Sequence, residues 1–147
     1  MIERCTSIEQ SGWLALRQAL WPDCPRSEHI AEMALQLQNA ARHVQFVAYR
    51  NNGEPCGFVE ASARTDYVNG TQSSPVAFLE GIYVEPHCRQ QGVAKELVTA
   101  VIQWAHSNGH SELASDALLD NVLSHRVHRA LGFTETERVV FYRKAVP

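Results

Sequence analysis

The chain of 147 residues lacks the features that mark membrane, exported or metal-binding proteins. No apolar run approaches the length of a membrane-spanning helix, so we expect no membrane association. Residues 1–5 lack the apolar core of a signal peptide, which predicts a cytoplasmic protein. The cysteines are widely spaced, without a Cys-x-x-Cys pair, so the sequence predicts neither a zinc site nor a redox pair. They are Cys5, Cys24, Cys56 and Cys88.

A surplus of positive charge is also missing. The chain has 13 Lys and Arg against 16 Asp and Glu, for a formal net charge of −3. This balance argues against nucleic acid as a partner and suits a cationic ligand. Repeats, low-complexity tracts and linkers are absent too, so we expect a single domain over residues 1–147 that is long enough to bury a core.

Hydrophobic periodicity predicts a mixed α/β protein with the element order β-α-α-β-β-β-α-β-α-β. Strands are predicted at residues 44–49 and 56–63, and the Asn-Asn-Gly sequence at 51–53 between them is typical of a hairpin turn. Residues 66–75 are polar and predict a long loop. Residues 133–143 alternate between apolar and polar, which predicts a last strand or hairpin.

The most informative stretch is residues 76–105. Residues 76–85 are apolar and β-branched, as in a buried strand, and from Val93 the apolar positions follow helical spacing. Between them, residues 89–94 form a short loop that opens with an arginine and contains Gly92. The first four N–H groups of a helix have no internal partner and carry partial positive charge, so this arrangement predicts an anion site.

The loop differs from two common phosphate-binding motifs. No Gly-Lys-Ser/Thr follows it, which excludes a Walker loop, and a single glycine does not make the Gly-x-Gly-x-x-Gly of dinucleotide binders. An ordinary strand-to-helix turn with an exposed arginine is the structural alternative.

Carboxylates occur at positions that suit a binding cleft. Glu80 interrupts an apolar strand, where a carboxylate is costly unless it faces a cavity or a cation. Asp116 ends the next predicted strand, at the carboxyl edge of the sheet where ligands gather. Asp66 lies in the long loop, and Glu135 and Glu137 lie near the last predicted strand. Together they predict an acidic cleft for a polycationic amine; the alternative is solvated surface charge, which we prefer for Asp66 and Glu135.

The loop and its context are similar to a known family. Arg-Gln-Gln-Gly-Val-Ala at 89–94 resembles the Arg/Gln-x-x-Gly-x-Gly/Ala pyrophosphate loop of GNAT superfamily acetyltransferases, and the element order resembles the GNAT fold along nearly the whole chain. The resemblance implies an α/β (α+β) fold whose mixed central sheet of about six or seven strands splays after the fourth, with about four helices. It also implies acetyl-CoA as cosubstrate, without a metal. The implied pyrophosphate-binding residues are Arg89, Gln90, Gln91, Gly92, Val93, Ala94 and Lys95.

Further cofactor contacts follow from the same resemblance. The main chain just after the splay would bond the pantetheine arm and polarise the thioester. These residues are Ile82, Tyr83 and Val84. Asn121, which opens a helix, matches a residue that commonly contacts CoA, although it is equally well explained as a plain helix cap. His128 stands where the family often has a tyrosine that protonates the leaving thiolate; helix packing is the alternative for His128, and Tyr142 is a second candidate acid.

Strings spread along most of the chain resemble one branch, the small chromosomal aminoglycoside 6′-N-acetyltransferases. They include Leu20-Trp21-Pro22, Asp66-Tyr67-Val68-Asn69-Gly70 and Ala114-Ser115-Asp116. Positions of that branch that match Trp21, Tyr67, Glu80, Asp116 and Glu137 line the antibiotic site. Trp21 and Tyr67 would offer flat faces to sugar rings and cations, with core packing as the alternative, especially for Trp21.

The resemblance implies transfer of an acetyl group from acetyl-CoA to the 6′-amino group of aminoglycosides, which confers resistance. Transfer would be direct, in a ternary complex, with Glu80 accepting a proton and Asp116 orienting the amine or relaying the proton. Related enzymes are usually dimers, so a homodimer is expected. The alternatives are an acetyltransferase for another polyamine or a protein amine, a non-catalytic sensor of CoA or a cation, and a peptide-binding module.

Overall fold

A computed structural model of the protein describes every residue from 1 to 147 and divides the chain into two compact units, residues 1–116 and 117–147. The first unit contains a five-stranded sheet in the order β1-β2-β3-β4-β5. The strands are β1 (Ile2–Arg4), β2 (His43–Tyr49), β3 (Pro55–Arg64), β4 (Val76–Val84) and β5 (Leu113–Ala114). The first three pairings are antiparallel, and β4 and β5 are parallel.

Three α-helices lie in the first unit and one in the second. They are α1 (Trp13–Leu20), α2 (Arg26–Gln38), α3 (Val93–Ser107) and, in the second unit, α4 (Val122–Ala130). A short 3₁₀ helix, Pro86–Cys88, lies between β4 and α3. None of the helices combines the length and apolar character needed to cross a membrane.

The core of the first unit forms around β2 and β3. Both α1 and α3 pack against β3, which explains why its residues 56–62 are buried without alternation. Trp13 and Leu16 of α1 are buried with Phe58 of β3, while Leu97 and four further apolar side chains of α3 are also buried. Burial of each such side chain stabilises the fold by about 1.5–3 kcal/mol.

Strand β4 has two irregularities that expose functional groups. Leu79 pairs with Ala61 and Gly81 with Glu60, so Glu80 is an extra residue, a β-bulge, without a partner on β3. On the other side, β5 pairs with β4 only at Ala77 and Phe78. The sheet therefore opens after the first part of β4, as the resemblance implied, and leaves one backbone edge of residues 79–84 without a neighbouring strand.

The predicted order of elements is confirmed from β1 to α4, but the last predicted strand is wrong. Residues 133–147 contain no helix or strand, so the sheet has five strands rather than six or seven. A strand is stable only where a neighbouring backbone accepts its hydrogen bonds, and residues 133–143 pair with none despite their alternating pattern.

Candidate functional site

A cavity of about 630 Å³ opens between the end of α1, helix α2 and strands β3 and β4. Its size suits a small-molecule ligand. Four carboxylates and one arginine line it, so its wall is predominantly negative. The charged lining residues are Arg17, Asp23, Glu32, Glu60 and Glu80.

The floor of the cavity is a buried ion pair between Arg17 of α1 and Glu60 of β3, which are 1% and 3% exposed. Arg17 Nη1 donates to both oxygens of Glu60, at 2.6 Å to Oε2, and Nη2 donates to Glu32. Trp13 Nε1 donates to Glu60 Oε1 at 2.8 Å and Gln36 Nε2 to Oε2 at 3.2 Å. Every buried side-chain polar atom of the protein has a partner, so the pair is fully compensated.

His29 connects this floor to the loop after α1. Arg17 Nε donates to His29 Nδ1 at 3.1 Å, so Nδ1 carries no proton. The Nε2 atom lies 3.2 Å from the carbonyl oxygen of Trp21 and therefore donates to it as the neutral Nε2–H tautomer. Because His29 is fully buried, this contact fixes the backbone at Trp21.

The half-buried Trp21 forms one wall of the cavity and is seated on β4. A Cβ atom at Gly81 would lie 2.5 Å from the Trp21 ring, so only glycine allows this approach. The ring makes an edge contact with Phe58 at 5.9 Å, and the Arg17 guanidinium lies 5.0 Å from its centroid. Trp21 thus serves in packing while it also lines the cavity, so both roles predicted for it coexist.

Glu80 lines the cavity but is more exposed than the apolar sequence around it suggested, with 33% of its side chain accessible. The β-bulge explains this exposure, because it leaves Glu80 outside the regular pairing of β3 with β4. The carboxylate accepts from Ser62 Oγ at 2.6 Å and from two nitrogens of Arg64 at 3.0 and 2.7 Å.

Asp116 lies two residues beyond β5 and is exposed. Hydrogen bonding to Glu80 raises the pKa of Arg64, and the charges of Glu80, Asp116 and Asp66 raise it further against the effect of burial. The guanidinium of Arg64 is therefore under the influence of three carboxylates, among them both Glu80 and Asp116.

His43 of β2 also lines the cavity. Its partial burial, together with the charge of Arg42, lowers the pKa of His43, while the charges of Glu80 and Glu60 oppose that shift. The imidazole is thus biased toward its neutral form within an acidic wall.

The loop before α3 has the geometry of an anion site. Gly92, the N-cap of α3, has a φ of 83° and Gln90 a φ of 60°, both left-handed, and no side chain caps the first N–H groups of the helix. Arg89 is tied back to β4 by a 2.8 Å bond from Nε to the Val84 carbonyl, and its guanidinium lies 5.6 Å from the Tyr83 ring centroid. A Cβ atom at Gly92 would meet nothing within 4 Å, so no neighbouring group covers the backbone at this residue.

These features fit acetyl-CoA. The open backbone edge of residues 79–84 leads along β4 toward residues 89–95, and the same strand carries Glu80 at the cavity. The residues predicted to contact the cofactor in β4, Ile82, Tyr83 and Val84, all lie on this open edge.

Tyr67 in the first unit, and Asn121 and Glu137 in the second, were also predicted for the site. Tyr67 is 76% exposed and does not line the cavity. Asn121 and Glu137 belong to the second unit, where Asn121 is the N-cap of α4 and accepts from the Ser124 N–H at 3.1 Å. In the same unit, His128 Nδ1 lies 2.7 Å from the Ser124 carbonyl, and its ring contacts Phe133 at 5.2 Å.

Sequence reasoning missed Arg17, Glu32 and Glu60. The signal for Glu60 was present, since it interrupts an apolar strand just as Glu80 does. Its partner Arg17 could not be found from spacing, because the two residues lie 43 positions apart.

Known proteins resemble the chain over nearly its whole length. The acetyltransferase (GNAT) family matches residues 13–133. An aminoglycoside N(6′)-acetyltransferase type 1 of Serratia marcescens is 49% identical over 146 residues, which cover 99% of both chains. A protein of the same name from Acinetobacter baumannii is 52% identical over 136 residues, or 92% of each chain.

Solved structures agree with this match. AAC(6′)-Iy in complex with the bisubstrate analog CoA-S-monomethyl-acetylneamine superposes with a TM-score of 0.92 at 47% identity, covering 99% of this chain and 98% of that one. The aminoglycoside 6′-N-acetyltransferase AAC(6′)-Ih from Acinetobacter baumannii gives 0.93 at 47% identity, covering 100% and 99%. The open strand edge, the left-handed glycine before α3 and these matches lead to one conclusion: the chain belongs to the acetyltransferase (GNAT) family.

Proposed function

We propose that the protein transfers the acetyl group of acetyl-CoA to the 6′-amino group of aminoglycosides and thereby confers resistance to them. The observation that carries the proposal is the acidic cavity that shares Glu80 with the open strand β4. A polycationic sugar suits a wall with four carboxylates, and the aromatic face of Trp21 suits a sugar ring. The relatives named for this activity support the same acceptor.

The donor side consists of β4 and the loop before α3. Backbone groups of Ile82, Tyr83 and Val84 would hold the pantetheine arm, and residues 89–95 would hold the pyrophosphate at the N-terminus of α3. Asn121 would add a contact while it caps α4. When bound, acetyl-CoA supplies the activated acetyl group, and a backbone N–H on the open edge would stabilise the charge that develops on the thioester oxygen.

The acceptor side places carboxylates around the amine. Glu80 would accept a proton from the 6′-ammonium, directly or through water, which leaves a free amine that can attack without an acetyl-enzyme intermediate. Transfer would then form the amide C–N bond and break the thioester C–S bond, and CoA would leave as the thiol with the proton that the amine loses. Asp116 orients the amine or relays the proton. Trp21, Tyr67 and Glu137 complete the substrate contacts. The contacts of His128 with Ser124 and Phe133 support packing rather than proton donation for that residue.

We also propose that the protein acts in the cytoplasm as a homodimer, without nucleic acid or membrane partners. The second unit supports self-association, because its last residues, 133–147, which contain no helix or strand, carry several exposed apolar side chains. They are Val139, Val140, Phe141, Tyr142 and Val146.

A thiol-release assay with kanamycin and acetyl-CoA tests the activity, followed by location of the acetyl group by NMR. We expect CoA release and acetylation of the 6′ nitrogen. Activity on spermidine or a peptide amine but not on kanamycin would reassign the acceptor. Binding of acetyl-CoA without thiol release from any amine would indicate a sensor, and no binding would indicate an interaction module.

A further inference from the structure

We propose that Arg64 is a positioning residue which, with Ser62, fixes the carboxylate of Glu80 in one orientation at the cavity wall. The proposal rests on the proposed function, in which Glu80 receives the substrate ammonium. Ser62 and Arg64 lie two positions apart on β3, so their side chains are on one face of the sheet, and both reach Glu80.

The geometry is that of a two-pronged guanidinium–carboxylate pair. Arg64 Nε donates to Glu80 Oε1 at 3.0 Å and Nη2 donates to Oε2 at 2.7 Å. Such parallel bonds fix the plane of the carboxylate as well as its place, which a single point charge does not.

The carboxylate of Glu80 keeps one hydrogen-bond acceptor position for a substrate. Each carboxylate oxygen has about two lone-pair positions. Oε1 of Glu80 accepts from both Ser62 and Arg64, whereas Oε2 accepts from Arg64 alone. One position on Oε2 is therefore available, which fits one N–H of an ammonium group.

Arg64 is itself held in place. Its guanidinium carbon lies 3.5 Å from the centroid of the Phe78 ring, so it is stacked on β4. The nearby charges of Asp66 and Asp116 also favour its cationic form. A guanidinium restrained on a ring and among carboxylates can hold Glu80 without moving away.

The bulge explains why such a clamp is needed. Glu80 lies outside the β3–β4 ladder and keeps 33% of its side chain accessible, so β-sheet packing alone does not select its rotamer. A glutamate loses considerable rotamer freedom when it is fixed, and misplacement of a reacting group by about 1 Å can reduce a rate about 100-fold.

The test compares Arg64→Gln and Arg64→Lys with the control Arg50→Gln. Arg50 forms a similarly exposed pair with Glu54 at 3.0 Å, in the hairpin away from the cavity. We expect Arg64→Gln to lower kcat/KM for kanamycin about 10- to 100-fold with an unchanged KM for acetyl-CoA. Urea unfolding should match that of Arg50→Gln, which keeps wild-type activity. Arg64→Lys should retain most of the defect, since lysine restores charge but not the two-pronged bond.

Wild-type kcat/KM in Arg64→Gln, or full activity in Arg64→Lys, would overturn the positioning role. A crystal structure of Arg64→Gln provides a readout that does not depend on the acceptor: we expect the Glu80 carboxylate to leave its wild-type position or to occupy several. An unchanged Glu80 would overturn the proposal whichever amine is acetylated. Absence of CoA release by the wild type with 6′-amino aminoglycosides would instead refute the proposed function.

Discussion

The cavity is bounded by two Arg–Glu pairs that are chemically alike and physically different. Arg17 and Glu60 lie beneath it, 1% and 3% exposed. The oxygens of Glu60 accept hydrogen bonds from Arg17 and Trp13 of α1 and from Gln36 of α2, which use all of its acceptor positions. Arg64 and Glu80 lie at its wall, 41% and 33% exposed, and Glu80 keeps an acceptor position free. Both glutamates interrupt apolar strands and are neighbours across the bulge.

The difference separates a structural ion pair from one suited to binding. A buried pair whose polar atoms are all satisfied keeps no free hydrogen-bonding position for a ligand, and removing one partner leaves a charge without compensation. An exposed pair contributes little to stability, because solvent screens it, so its carboxylate can be used for recognition. The structure thus predicts opposite sensitivities of folding and catalysis at Glu60 and Glu80.

Glu60→Gln should have the largest effect on stability. The buried guanidinium of Arg17 then keeps only the half-exposed Glu32 as a counter-charge, so we expect the free energy of unfolding to fall by about 3 kcal/mol. Urea denaturation measures the loss, with Glu54→Gln as the exposed control that stays close to wild type. Equal midpoints for the two variants would contradict the structural role of Glu60.

Glu80→Gln should show the reverse pattern. The amide keeps the shape of the side chain but cannot accept the proton, so kcat/KM for kanamycin should fall about 100-fold or more. Because the pair with Arg64 is exposed, the free energy of unfolding should change by less than about 1 kcal/mol. Steady-state kinetics and urea unfolding on the same preparation check both statements, and near-normal turnover would remove Glu80 from the chemistry.

Gly81→Ala tests how the packing of Trp21 on β4 affects the cavity. Gly81 follows Glu80 in β4 and pairs with Glu60 of β3. The new methyl group would lie 2.5 Å from the indole, so the ring must move, at a cost of about 1–3 kcal/mol. We expect a higher KM for kanamycin and an altered tryptophan fluorescence, with an unchanged KM for acetyl-CoA. An alanine at Gly53, where φ is 84° and no atom lies within 4 Å, shows the effect of backbone strain alone, which does not arise at Gly81 because its φ is not positive.

The smallest effect concerns His43, which responds to both glutamates. Burial lowers the pKa of His43 below its ordinary value of 6.5, while Glu80 and Glu60 oppose the shift. An NMR titration should therefore give a pKa below 6.5 in the wild type and a still lower one in Glu80→Gln. The unfolded chain binds a proton at His43 more readily than the folded chain does. The contribution of His43 to the free energy of unfolding is therefore fully present above about pH 6.5 and is lost as pH falls below it. An upward shift in Glu80→Gln would contradict the placement of Glu80 near His43.

Local patterns were sufficient for most of the fold. The apolar strand, the Gly92 loop and the helical spacing after Val93 are properties of neighbouring residues, and the sequence predicted all three correctly. The last strand was not predictable in the same way, because alternation at 133–143 does not tell whether a partner strand exists.

The site was predictable in part, for a related reason. Glu80 was identified because it interrupts an apolar strand, but its position in a β-bulge could not be predicted, since a bulge depends on the register between two strands. The same argument applied to Glu60 would have selected a structural residue. Glu60 and Glu80 differ in the arginine with which each forms an ion pair, and Arg17 reaches Glu60 only because α1 packs on β3.

The most direct test of the account compares neomycin with paromomycin, two aminoglycosides that carry an amino group and a hydroxyl, respectively, at the 6′ position. Measured with acetyl-CoA and the wild-type protein, kcat/KM should be substantial for neomycin, with the acetyl group on the 6′ nitrogen, and negligible for paromomycin. Comparable rates with the two compounds, or acetylation of neomycin at another amine, would contradict the proposed reaction.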